Sequence, residues 1–271
     1  MSEIIVIEGR EARLTTGSGE PKTVDAGLLA EGISANMIRG LTPAPLPDNV
    51  KWMVQLGQLT ICIVQLTPEW RFVKWLADNS PVPFGEGAIY SDRKLATPYV
   101  VLKVPFLRDR VIPRVEVFYR NEPLRSLEGE AGTLYWPNLF NVSVNAYNCT
   151  AWYCSQYLDM AQAGKSIEAG LNAVIHHLFG GGFNASSDFH EGLSTFTFCV
   201  QEQIDPRVSD VARWEEESEA DPKFVLTVPW KPTGLTVKAL IDRELKFHKL
   251  SPVPATAGAW GNILLRQAKP K

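Results

Sequence analysis

The chain lacks any bulk excess of positive charge. Its 27 basic residues face 30 acidic ones, for a formal net charge of -3 at pH 7. Nothing therefore drives the counterion release on which non-specific nucleic-acid binding depends. Long apolar runs are also absent, none approaching the roughly 20 residues that cross a bilayer. The start, Met1 to Ile7, has no basic region followed by a hydrophobic stretch and a small-residue cleavage site, so a cytoplasmic protein with no membrane partner is expected. Cysteine is scarce, with four in 271 residues (Cys62, Cys149, Cys154 and Cys199) and no CxxC spacing. That usage favours a reducing compartment and free thiols, each of them either packing or chemistry. No convergent set of carboxylates or histidines supports a hydrolase or nuclease.

What is present is enough apolar material, 45% of residues, to bury a core without disulfides or metals. Residues 1–78 read as a β-rich N-terminal region, with a β-favouring run at Glu3–Glu8, a Gly17-Ser18-Gly19 turn and extended segments from Val50 to Val73. Two prolines and a glycine in Ser80-Pro81-Val82-Pro83-Phe84-Gly85 make 79–87 a connector and a plausible boundary. The core is expected at 88–200. Within it Tyr99–Val104 and Arg114–Tyr119 are strand candidates close enough in sequence for an antiparallel meander. A helix is expected from Ser166 to Phe179, because Ile167, Leu171, Val174, Ile175 and Leu178 share one stripe and Ser166 can cap it. Gly180-Gly181-Gly182 ends it. Residues 201–271 read as an α/β extension packed on the core. It comprises a helix opened by Asp205-Pro206 and running into a solvated Glu215-Glu216-Glu217 face, a strand at Phe224–Val228, and a helix carrying Val237, Leu240, Ile241 and Leu245.

Several motifs suggest chemistry and then fail a physical test. Gly164-Lys165-Ser166 has the end of a phosphate-binding loop, but Asp159 stands where the leading glycine belongs and would repel phosphate, which leaves a serine-capped helix. Ser186-Ser187-Asp188-Phe189-His190 holds the residue types of a nucleophilic triad in one short segment. A triad needs its members on separate elements, so capping or turn roles are expected instead. His176 and His177 lie about 100° apart on a helix and cannot face one metal together; His176 points away from the apolar stripe.

The most informative region is Leu134-Tyr135-Trp136-Pro137-Asn138-Leu139-Phe140, then a polar and small stretch to Cys149 and Cys154, then the helix at Ser166. Strands, a Pro-Asn turn, a loop, a cysteine and a helix in this order resemble the core of ubiquitin-conjugating (E2) enzymes over residues 95–185. Among them the chain resembles the divergent bacterial E2-like group, the family D type, which lacks the histidine; here Trp136-Pro137-Asn138 stands in place of the His-Pro-Asn tripeptide. The gap from Asn138 to either cysteine is longer than in E2 enzymes and requires an inserted loop. The resemblance implies an α+β fold with an E2-like antiparallel sheet and a packed helix. It also implies an E1-like adenylating enzyme and a ubiquitin-like protein as partners, and no cofactor on the chain itself.

A carrier thiol must be exposed and partly ionised, and the tetrahedral intermediate needs a donor aimed at its oxyanion. Asn138 is the candidate donor. Cys154, after the β-favouring Trp152-Tyr153 and with Leu158 four residues on, is the preferred thiol; Cys149, nearer to Asn138 but with polar flanks, is the alternative. No basic residue sits beside Cys154 to lower its pKa. Cys62 and Cys199, inside apolar runs, are expected to be packing residues. The rival expectation is a non-catalytic interaction or structural subunit of an operon-encoded assembly, motivated by the eight tryptophans.

Overall fold

A computed structural model of the chain describes residues 4–8, 11–15, 22–25, 49–56, 58–145, 150–153, 166–190 and 192–248. Two compact units divide it: residues 1–46 with 245–271, and residues 47–244. The first contains a small antiparallel sheet of β1 (Ile4–Glu8), β2 (Glu11–Thr15) and β3 (Lys22–Asp25), with Ile4 opposite Thr15 and Glu11 opposite Asp25.

The second unit is built on β4 (Val50–Leu56), β5 (Leu59–Leu66), β6 (Glu69–Leu76), β7 (Tyr90–Thr97), β8 (Tyr99–Leu107), β9 (Arg110–Val111), β10 (Glu116–Arg120), β11 (Thr133–Tyr135), β12 (Val142–Asn145), β13 (Thr150–Tyr153) and β14 (Pro232–Thr236). Leu59 to Leu66 are all buried, and so are Val100 to Phe106. A strand buried on both faces must also pair along both edges, since unpaired backbone groups in the interior are costly. Accordingly β5 pairs with β4 and β8, and β8 with β5 and β10, all antiparallel. The path through the main sheet is β12-β13-β10-β8-β5-β4. The far edge of β10 is shared, its start with β13 (Glu116 opposite Trp152) and its end with β11 (Tyr119 opposite Tyr135). The fold is mixed α and β around an antiparallel sheet, and the meander expected from Tyr99–Val104 and Arg114–Tyr119 is the β8–β10 pair.

Around the sheet lie α1 (Ile167–Gly180), α2 (Ser186–His190), α3 (Thr195–Gln201), α4 (Val211–Ala220) and α5 (Val237–Phe247). The Ser166 side chain accepts the Ala169 N–H at 3.1 Å, and Leu171, Val174 and Leu178 are buried. Gly182, at φ 83, reaches the left-handed region just past the helix, where a side chain would be strained. No helix among the described residues is long and apolar enough to cross a membrane.

Three expectations need correction. Residues 49–78 are not a separate layer from the core at 88–200. β4 and β5 belong to the same sheet as β8, and the Pro-rich 79–87 segment joins β6 to β7, which pair from Glu69–Thr97 to Leu76–Tyr90. A connector of that composition suits a hairpin loop as well as a boundary, and the apolar demand of β5 decided between them. The helix placed at Asp205-Pro206 begins instead as a 3-10 turn, Pro206–Val208, and α4 restarts on the cap Asp210, which accepts from Ala212 and Arg213 N–H. Finally, Phe224–Val228 is no strand. Asp221 accepts the Lys223 N–H through its side chain and the Phe224 N–H through its carbonyl, folding the chain into a 3-10 turn that buries Phe224 and Val225.

The acidic face of α4 is only partly solvated. Glu215 accepts the Lys94 N–H and pairs with Arg93, both at 2.8 Å, while Ser218 Oγ accepts the Ala96 N–H at 2.9 Å and the Trp214 indole donates to the Ala96 carbonyl at 3.0 Å. The helix thus satisfies the outer edge of β7 with side chains, protecting an edge that would otherwise invite another strand.

Candidate functional site

The Trp136-Pro137-Asn138 bend leaves the end of β11 and turns into β12 across a buried floor. Trp136 donates its backbone N–H to the Lys231 carbonyl at 3.0 Å and meets Phe198 edge-on at 5.4 Å. Leu139 and Thr195 hold each other at the start of α3: Thr195 Oγ1 donates to the Leu139 carbonyl at 2.8 Å and accepts the Leu139 N–H at 3.3 Å. The bend is therefore fixed by residues more than fifty positions later in the chain.

Asn138 is fully buried. Its amide nitrogen donates to the Val208 carbonyl at 2.8 Å, while its side-chain oxygen is buried with no hydrogen-bond partner among the described residues. Burial pushes the Tyr119 hydroxyl pKa up, with Cys199 adding to the rise. Enclosed in this way, the Asn138 amide acts first as a pin for the bend, and an oxyanion outside the core is not what it touches.

Cys149 and Cys154 lie outside the described residues. Their neighbours are described: β13, Thr150–Tyr153, occupies the sequence between the two cysteines and pairs with β12 from Val142–Tyr153 to Asn145–Thr150. Both remaining thiols are inside. Cys62 sits in the middle of β5 and Cys199 in α3, and burial pushes each thiol up to about 12, a neighbouring Glu202 adding to the effect at Cys199. Such thiols stay protonated at neutral pH and are poor nucleophiles. Cys199 instead gives a weak S–H contact to the Pro137 carbonyl at 3.6 Å, directly under the bend.

No family model, curated protein or solved structure matches the chain. The chemistry of the site accordingly has to be argued from its own residues.

Spacing alone hid one pairing at the end of β13. The Tyr153 hydroxyl, on the last residue of β13, is hydrogen-bonded to His177 Nδ1 on α1. Burial, and then the adjacent His176, hold the His177 pKa below its ordinary value. This hydrogen bond ties α1 to the last residue of β13, which precedes Cys154 in the sequence. The sequence did contain a hint, since His177 is flanked on α1 by the buried Val174 and Leu178, but its partner could not be read from spacing.

The Ser-Asp-His segment has the capping role expected of it. Asp188 on α2 accepts the Ser194 N–H at 2.7 Å, the Ser194 hydroxyl at 3.1 Å and the Thr197 hydroxyl at 3.0 Å, and Ser194 in turn caps α3. Its carboxylate is spent on holding two helices together. Among the described residues no group of three or more His, Cys, Asp or Glu side chains is arranged to hold a metal ion.

Proposed function

We propose that the chain is an E2-like carrier that accepts a ubiquitin-like modifier from an E1-type enzyme as a cysteine thioester and passes it to an amine. One observation carries the reading. An antiparallel meander ends in a Pro-Asn bend, a β12–β13 hairpin follows, the two cysteines flank β13 in sequence, and α1 comes next. An E2-type carrier needs its thiol at the end of a rigid sheet rather than within it, and Cys62 and Cys199 do not meet that need.

In the first step a thiolate at Cys154, or at Cys149, attacks the carbonyl carbon of the modifier's C-terminal thioester on the E1. A new C–S bond forms and the E1 thiolate leaves. An acceptor amine then attacks the same carbon, the C–N bond forms, the carrier thiolate departs and the amine loses one proton. ATP is consumed by the E1. Asn138 contributes by fixing the bend against Val208.

The test is incubation with the cognate E1, modifier and ATP. A reductant-sensitive adduct that disappears in Cys154→Ala supports the assignment. Loss in Cys149→Ala alone moves it to that residue, and no adduct in the wild type refutes carrier activity.

A second reading, a non-catalytic interaction subunit, is favoured by the outward side of β6, where Phe72 is 73% and Trp70 42% exposed. Exposed aromatics on one strand are common at protein interfaces. A Phe72→Glu substitution that abolishes assembly while leaving thioester formation intact would favour this reading.

A further inference from the structure

A cleft of about 410 Å³ opens between the start of the 79–87 loop and the N-terminus of α4. Its floor is a triangle of rings: Trp75 lies 4.8 Å from Phe140 and 5.0 Å from Phe196, and Phe140 lies 4.5 Å from Phe196. Phe189, 64% exposed, stands at the mouth. Two prolines, Pro81 and Pro83, form part of one wall, and the residues lining the cleft include two carboxylates, Asp78 and Asp210, but no lysine, arginine or histidine. Asp78 is exposed, and its carboxylate has no hydrogen bond or ion pair among the described residues. Asp210, also exposed, accepts the Ala212 and Arg213 N–H groups through Oδ1 at 2.8 and 3.0 Å, and no hydrogen bond is made by its Oδ2 among the described residues.

We propose that this cleft receives an arginine side chain presented by a partner polypeptide. Aromatic rings attract a cation through their negative faces, and a guanidinium can stack on a ring while its edge donates to a carboxylate. Anionic ligands are opposed by both aspartates, and a purely apolar ligand would leave them unused. Free arginine would bring a hydrated carboxylate and ammonium to the cleft, and burying either beside the rings costs solvation. A capped arginine within a chain has no such penalty, and the exposed Phe189 gives apolar surface to the residues on either side of it. The inference stands on the cleft alone and does not depend on carrier activity.

The test is a titration of the ¹⁵N-labelled full chain with N-acetyl-arginine-N-methylamide, N-acetyl-norleucine-N-methylamide and free arginine, followed by chemical shift. The capped arginine should give saturable shifts at the Trp75 indole and at the amides of residues 78, 140, 189 and 210. Norleucine should give none, and free arginine weaker ones. Asp78→Lys, at an exposed position that holds no structural bond, should weaken the capped arginine by about two- to fivefold, the size expected for an exposed ion pair. Absence of saturable shifts, equal binding of norleucine, or binding indifferent to Asp78→Lys would overturn the proposal.

Discussion

Lys103 sits in the middle of β8 with no solvent exposure, an arrangement that folding tolerates only when the charge is matched. Its ammonium lies 2.6 Å from Glu244 on α5, itself fully buried, and 3.5 Å from Glu116 on β10. Glu244 is also 3.3 Å from Arg114, and Glu116 is 2.6 Å from Arg243. Replacing Lys103 with methionine removes the central cation and leaves two buried carboxylates, Glu244 still beside Arg114 and Glu116 still beside Arg243. Breaking a buried pair by deleting one partner costs about 3–5 kcal/mol, and the surviving arginines put this case near the lower end, at about 3 kcal/mol. Replacing both members, Lys103→Met with Glu244→Leu, removes the orphaned charge and should recover most of that loss, because a matched apolar pair is often as stable as the ion pair it replaces. Urea unfolding followed by tryptophan fluorescence reads both variants. A single mutant within about 0.5 kcal/mol of wild type, or a double mutant less stable than the single, would refute the idea that this network is a matched buried charge.

Other consequences follow from the same geometry. Asp188→Ala leaves the Ser194 and Thr197 donors without their carboxylate and should cost about 2 kcal/mol in unfolding, whereas an exposed Glu216→Ala should change little. Hydrogen bonding from Arg207 holds the Asp205 carboxyl below its ordinary range. Its contribution is therefore present above the unfolded carboxylate pKa and is lost as pH falls through the folded value, so Asp205→Asn should flatten the acid limb of a stability–pH curve. His177 has a lowered pKa as well. The stability linked to its neutral form is present above the unfolded histidine pKa and is lost on acidification through the folded value; in an NMR titration His177 should protonate at lower pH than a free histidine, and Tyr153→Phe should change its profile.

Local signals carried well in this sequence. The serine cap and apolar stripe at 166–179 specify α1, and the alternation of punctuation and β-branched runs specifies β8 and β10, because each depends on residues a few positions apart. Long-range partners were not legible. Nothing within the Tyr99–Val104 run identifies the partner of Lys103, because Glu244 lies 141 residues later. β14 was missed because Pro232 and Gly234 disfavour a strand, and only pairing with β11 from Thr133–Thr236 to Tyr135–Pro232 makes it one. At the site, Pro137-Asn138 was recognisable as a bend, but nothing nearby foretold that the Asn138 amide would be taken by Val208. The two inert thiols, by contrast, could be read from their apolar neighbours.

Carrier activity as proposed requires one thiol flanking β13 to be open to a partner, while Cys62 and Cys199 stay packed. Brief iodoacetamide treatment of the native protein, with the modified cysteines mapped by peptide mass, tests it most directly. Alkylation is expected at Cys154 or Cys149, with Cys62 and Cys199 modified only after denaturation. Protection of all four thiols until the protein unfolds would contradict it.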